Sequence, residues 1–108
     1  MKINTLSIVI PVYNEEGYIK KTVNRVLKAN SLNLKKEIII VDDGSQDKTS
    51  KILTSLKNKY KNKGLIVIFK KRNEGKGSAL KTGFQKTTGD IVLVQDADLE
   101  YSPEDYPL

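Results

Sequence analysis

The sequence predicts an α/β fold, a mainly parallel sheet of about four strands with helices on both faces. Three observations predict it. Short continuous apolar runs, LSIVIPV at 6–12, EIIIV at 37–41, LIVIF at 65–69 and IVLV at 91–94, alternate with amphipathic stretches. The runs recur about every 30 residues, the length of a strand plus a crossover helix and its turns. Each run is followed by a polar cluster: YNEEG, DDGSQD, KKRNEGKG and QDAD.

Leu6 to Val12 is apolar enough to be covered on both faces, and Pro11 indicates that pairing stops there on at least one side. Tyr13 to Gly17 is a polar loop whose acids suit the start of a helix. That helix runs from about Tyr18 to Ala29, because Ile19, Val23, Val26 and Leu27 share one face. Asn30 to Lys36 is a loop. Glu37 to Val41 is the second strand, and Asp42 to Asp47 the turn after it. Asp47 or Ser45 can cap the next helix, whose stripe is Ile52, Leu53, Leu56 and Tyr60 and which ends at Asn62-Lys63-Gly64. Leu65 to Phe69 is the third strand. A short helix carrying Ala79, Leu80, Gly83 and Phe84 follows, then Gly89-Asp90 turns into a fourth, buried strand, Ile91 to Val94.

The composition narrows the chemistry. With 108 residues, 38% hydrophobic and 30% charged, the chain reads as one ordinary globular domain. No apolar run approaches the roughly 18 residues of a membrane span, and Lys2, Asn4 and Ser7 interrupt the N-terminus, so a cytoplasmic location is the default expectation. The absence of cysteine and histidine excludes disulfides, thiolate chemistry, the usual zinc ligands and imidazole catalysis. Carboxylates, lysine, hydroxyls or a hard metal remain. The net charge of +6 sits on lysines placed along helix faces and ends, and two phenylalanines without tryptophan make a poor stacking platform, so no nucleic-acid partner is expected.

Right-handed crossovers place the C-terminal end of every parallel strand on one edge of the sheet, where open α/β sheets bind ligands. Tyr13 to Glu15, Asp42-Asp43, Asn73 to Gly77 and Asp96-Ala97-Asp98 therefore meet on one rim. If the backbone is still extended past Val94, Asp96 and Asp98 point the same way while Ala97 points the other. Two converging carboxylates repel unless a cation lies between them, and hard oxygen ligands suit Mg²⁺ or Mn²⁺, either of which can hold a diphosphate; the alternative is two solvated aspartates in a turn. Asp42-Asp43-Gly44-Ser45 is either plain strand-to-helix punctuation or a turn in which one of the two acids accepts an N–H of a nucleobase, and Tyr13 either stacks on that base or is partial core. Gly75-Lys76-Gly77 is neither a dinucleotide fingerprint nor a P-loop. It is a turn whose amides, with Lys76, can approach a phosphate, or a glycine-rich helix start without a ligand.

With these residues placed, the chain resembles the N-terminal half of a family 2 glycosyltransferase of the Rossmann-like GT-A fold. SIVIPVYNEE, VDDGSQDKT, NEGKGSALKTG and VQDADLEYSPED carry the resemblance, in that order and over nearly the whole chain. Within the family it looks most like the polyprenyl-phosphate mannose or glucose synthases. The resemblance implies an inverting transfer of sugar from a GDP- or UDP-linked donor to an acceptor, a polyprenyl phosphate in those synthases. The expected donor-binding set is Pro11, Tyr13, Asn14, Glu15, Asp42, Asp43, Lys76, Asp96, Ala97 and Asp98, with Asp96, Asp98 and Glu100 on Mg²⁺ or Mn²⁺. Ser102-Pro103-Glu104-Asp105 reads as a helix start cut short at Leu108, so the expectation is a single donor-binding domain, residues 1–108, truncated at its C-terminal end. The acceptor site, any general base and any membrane segments would then lie beyond Leu108. A non-catalytic nucleotide- or metal-binding remnant is the alternative from a different class.

Overall fold

The structure, a computed structural model, describes residues 3–97. Its elements follow the predicted order: β1 (Thr5–Val12), α1 (Ile19–Lys28), β2 (Lys35–Asp42), α2 (Thr49–Lys59), a 3-10 turn (Lys61–Lys63), β3 (Leu65–Phe69), α3 (Lys76–Phe84) and β4 (Ile91–Val94). The strands form one sheet in the order β3-β2-β1-β4, with every pair parallel. Asp98, Glu100 and the Ser102 to Asp105 helix start lie outside the described residues.

Alternation along the strands makes two cores. Ile8 and Ile10 of β1 and Ile38 and Ile40 of β2 face α1 and α2, where they pack with Val23 and Leu53. The opposite residues of β2, Ile39 and Val41, face α3 and pack against Ala79. Interior strands covered on both sides must be apolar on both sides, which is why Ile38 to Val41 are fully buried. α3 comes close to the sheet because it presents a glycine there. A Cβ on Gly83 would lie 2.5 Å from Val9 Cγ1 and 3.3 Å from Val41 Cγ2.

Three local readings are corrected by this packing. β4 is not a buried strand: Ile91, Val92 and Val94 are 37–45% exposed, because among the described residues β4 is an edge strand paired only with β1 and its Leu93 alone packs on the α1 side. The N-cap position of α2 is Lys48 rather than Asp47 or Ser45, although Asp47 still accepts the Thr49 N–H at 2.9 Å. Lys36 is not a solvated loop lysine. Its ammonium donates to the carbonyls of Val26, Leu27 and Ala29 at 2.6–2.8 Å, closing the C-terminal end of α1 with a positive charge where the helix dipole favours one. Burial lowers its pKa below the ordinary lysine value.

At the opposite edge from the rim, Glu37 ties three segments together. Its carboxylate accepts the Ser7 hydroxyl and the N–H and hydroxyl of Thr88, all within 2.8 Å. Desolvation works against its charge, but these donors, with Lys35 nearby, outweigh it and hold its pKa below the ordinary carboxylate value. Among the described residues no helix is long and apolar enough to cross a membrane.

Candidate functional site

The chain runs from β1 to β2 to β3 in one direction across the sheet and then returns to place β4 on the other side of β1. Loops leaving β1 and β4 therefore diverge, and a crevice opens between them at the strands' C-terminal ends. Pro11 keeps it open. The Asp43 N–H donates to the Val12 carbonyl on the β2 side, whereas the Gln95 N–H donates to the Val9 carbonyl on the β4 side. By that alternation the missing N–H of Pro11 falls on the β4 side, past the last bond to that strand.

Loop-to-loop hydrogen bonds build the walls. Asn14 has positive φ, its N–H donates to Ser45 Oγ at 2.9 Å, and its own Oδ1 accepts the Gln46 N–H at 2.8 Å. The Glu15 N–H donates to Thr49 Oγ1, and the Glu16 N–H to Asp47 Oδ2. The loop after β1 is thereby clamped to the start of α2. Desolvation opposes ionisation of Asp47, but the Thr49 and Glu16 donors prevail and hold its pKa below the usual value.

The adjacent acids after β2 divide their work. Asp42, on the α1–α2 side, accepts the Ser45 N–H at 3.1 Å and the Ser50 hydroxyl at 2.6 Å, and so shapes its own turn. Asp43, 3% exposed, accepts the N–H groups of Glu74 and Gly75 at 3.1 and 2.9 Å and pins the loop after β3. Gly44, at φ 74°, lets the turn touch that loop: a Cβ there would lie 2.4 Å from the Arg72 carbonyl carbon. Lys70 stands behind both, 3.7 Å from Asp43, 2.9 Å from Glu74, and hydrogen-bonded to Ser78 at the start of α3. The Lys70 ammonium lowers the Glu74 pKa. At the β4 exit the buried Thr22 hydroxyl of α1 donates to the Ala97 carbonyl at 2.8 Å and fixes the segment that carries Asp96.

These loops enclose a cavity of about 350 Å³ lined by residues from all four strand exits. Of the expected set, Pro11, Tyr13, Glu15, Asp43, Lys76, Asp96 and Ala97 line it. Asn14 and Asp42 do not: their side chains are taken up by the hydrogen bonds that shape the loops. Asp98 and Glu100 lie outside the described residues. Asn73, Gly75 and Ala79 also line the cavity; the sequence placed Asn73 on the rim without a role, and Gly75 in the turn whose amides can approach a phosphate. Thr22, Thr49 and Lys70 support the walls and were missed. Thr22 carried a signal, since it falls on the same helix face as Ile19 and Val26 and is fully buried.

A carboxylate at this rim is a hard oxygen donor of the kind that divalent cations take. Asp96 faces the cavity, and among the described residues no group of three or more acids is assembled as a cage. Mg²⁺ and ions like it are held by one or two carboxylates together with substrate phosphates, not by all-protein cages.

Comparison with known proteins is consistent with this geometry. The family described as Glycosyl transferase family 2 matches residues 7–108. The undecaprenyl-phosphate 4-deoxy-4-formamido-L-arabinose transferase of Proteus mirabilis is 43% identical over 107 residues, covering 98% of this chain and 32% of that protein. The chain thus spans about a third of the length of the transferases it matches. Among solved structures, S. aureus TarS in complex with UDP superposes with a TM-score of 0.73 at 32% identity, over 87% of this chain and 27% of that one. The mannosyltransferase PcManGT of Pyrobaculum calidifontis, in complex with GDP-Man and Mn²⁺, gives 0.76 at 25% identity, over 86% and 27%.

Proposed function

The chain belongs to glycosyl transferase family 2, and we propose that its rim cavity holds the nucleoside diphosphate of a sugar donor, residues 1–108 being the donor-binding domain. One observation carries this reading: a cavity at the β1/β4 crevice, lined from all four strand exits, in which the Asp96 carboxylate of the β4 exit shares the lining with Tyr13, Glu15 and Asp43. Tyr13 offers a flat face for the base and Asp43 a carboxylate for a base N–H. Asp43 spends part of its acceptor capacity on Glu74 and Gly75, which holds it in place for the remainder. Asp96 takes the divalent metal on the diphosphate, with Asp98 and Glu100 as the further ligands that the family resemblance implies. A bound Mg²⁺ or Mn²⁺ supplies Lewis acidity for the charge that grows on the departing diphosphate.

Solved relatives carry UDP in one case and GDP-mannose with Mn²⁺ in another, which supports a nucleotide-sugar donor and either base. The undecaprenyl-phosphate transferases among its relatives support a polyprenyl phosphate as the acceptor. Such a phosphate is already anionic and attacks the anomeric carbon with inversion and without a general base.

The test is a thermal melt with UDP-glucose or GDP-mannose, with and without Mn²⁺. A ligand that binds only the folded state stabilises by about 2.7 kcal/mol at a hundredfold excess over its dissociation constant. One donor should raise the midpoint only with the metal, and Asp96→Asn should abolish the rise. A cooperative melt that no combination moves would refute the reading.

A further inference from the structure

Lys76 is the first residue of α3 and its side chain is 59% exposed, yet its ammonium lies 2.6 Å from Asp96 Oδ1 across the cavity. A cation in the first turn is opposed by the helix dipole, and that turn of α3 contains no acid to offset it. Asp96 supplies the anion from another loop. The carboxylate proposed to hold the metal is therefore already paired, through Oδ1, with a lysine.

Resting on the donor-site reading above, we propose that Lys76 is an exchangeable counter-ion: it neutralises Asp96 before the donor binds and transfers to the diphosphate when Asp96 takes the metal. A carboxylate whose Oδ1 keeps an ammonium at 2.6 Å has less negative charge to offer a divalent cation, and the two cations repel at that range. Exposed ion pairs contribute little, and the four-carbon stem of lysine re-aims without moving the backbone. Both residues line the same cavity, so the diphosphate lies within reach of the ammonium that Asp96 releases. The metal alone must displace Lys76, whereas the metal arriving with a diphosphate finds Lys76 already drawn away. Metal and nucleotide then strengthen each other's binding, each by the same factor.

Mn²⁺ affinity, followed by the electron paramagnetic resonance of the unbound ion, tests this without turnover. It is measured for wild type, Lys76→Met, Lys76→Arg, Lys81→Met and Asp96→Asn, alone and with UDP or GDP. Lys81 is an exposed lysine on the same helix and controls for a general change of charge. Lys76→Met should bind Mn²⁺ alone about fivefold more tightly than wild type and metal-free UDP or GDP more weakly. Lys76→Arg and Lys81→Met should follow wild type for Mn²⁺. Equal Mn²⁺ affinity in wild type and Lys76→Met, or an equal gain in Lys81→Met, overturns the exchange; if Asp96→Asn still abolishes binding, the donor site stands. Failure of wild type to bind Mn²⁺ with either nucleotide overturns the donor site and the exchange together.

Discussion

Asp42 and Asp43 should respond in opposite ways to the same conservative change. Asn keeps the shape of Asp but replaces one acceptor oxygen by an NH₂ donor. At position 43 both oxygens accept backbone N–H groups, which only donate, so Asp43→Asn must face one of them with a second donor. Asn73 Oδ1 also accepts the Gly75 N–H at 2.9 Å, which leaves the Glu74 N–H as the group most exposed to the loss. Losing one charge-assisted hydrogen bond in a site only 3% exposed costs about 2 kcal/mol, a fall of about 10 °C in Tm for a domain of this size. At position 42 one partner is the Ser50 hydroxyl, which can rotate and accept from the new NH₂ while Oδ1 keeps the Ser45 N–H. Asp42→Asn should therefore lower Tm by less than half as much. Circular dichroism melts of the two variants beside wild type decide it. Equal falls, or a larger fall for Asp42→Asn, would refute the division of labour between the two acids.

Gly83→Ala sets a gain in helix propensity of about 1 kcal/mol against a Cβ 2.5 Å from Val9 Cγ1, a stiff and fully buried side chain. Overpacking costs up to about 3 kcal/mol, so a net fall in Tm of about 5 °C is expected, and a rise would show that α3 lifts from the sheet at no cost. Glu37 supplies a pH test. Its folded pKa lies below the 4.5 of an ordinary glutamate, so its contribution is fully present above that pH and is lost as the pH falls through the lowered folded value. Glu37→Gln should melt below wild type at pH 7, and the gap should close as the pH falls below 4.5 and through the lowered folded value. Parallel curves across that range would mean that Glu37 stays unlinked to folding.

The strands were legible because each is a local apolar run: Leu65 to Phe69 and Ile91 to Val94 begin and end where the sequence predicts. Their parallel pairing followed from spacing and the hand of crossovers, and with it came the gathering of four polar loops on one rim. Family membership was legible in the same loops, read in order along the chain. Strand order was not. Only the tertiary structure put β4 beside β1, which opened the crevice, left Val92 and Val94 half exposed and set Lys76 against Asp96. Nor does period-two alternation say which of two adjacent acids looks into a cavity, because Asp43 is turned there by N–H groups about thirty residues away. Lys36 in a lysine pair and Thr22 in an apolar stripe likewise took their roles from distant carbonyls, of α1 in one case and of Ala97 in the other. Periodicity reports which face of its own element a residue occupies, whereas a site is made by partners that only the packed sheet brings within hydrogen-bonding distance.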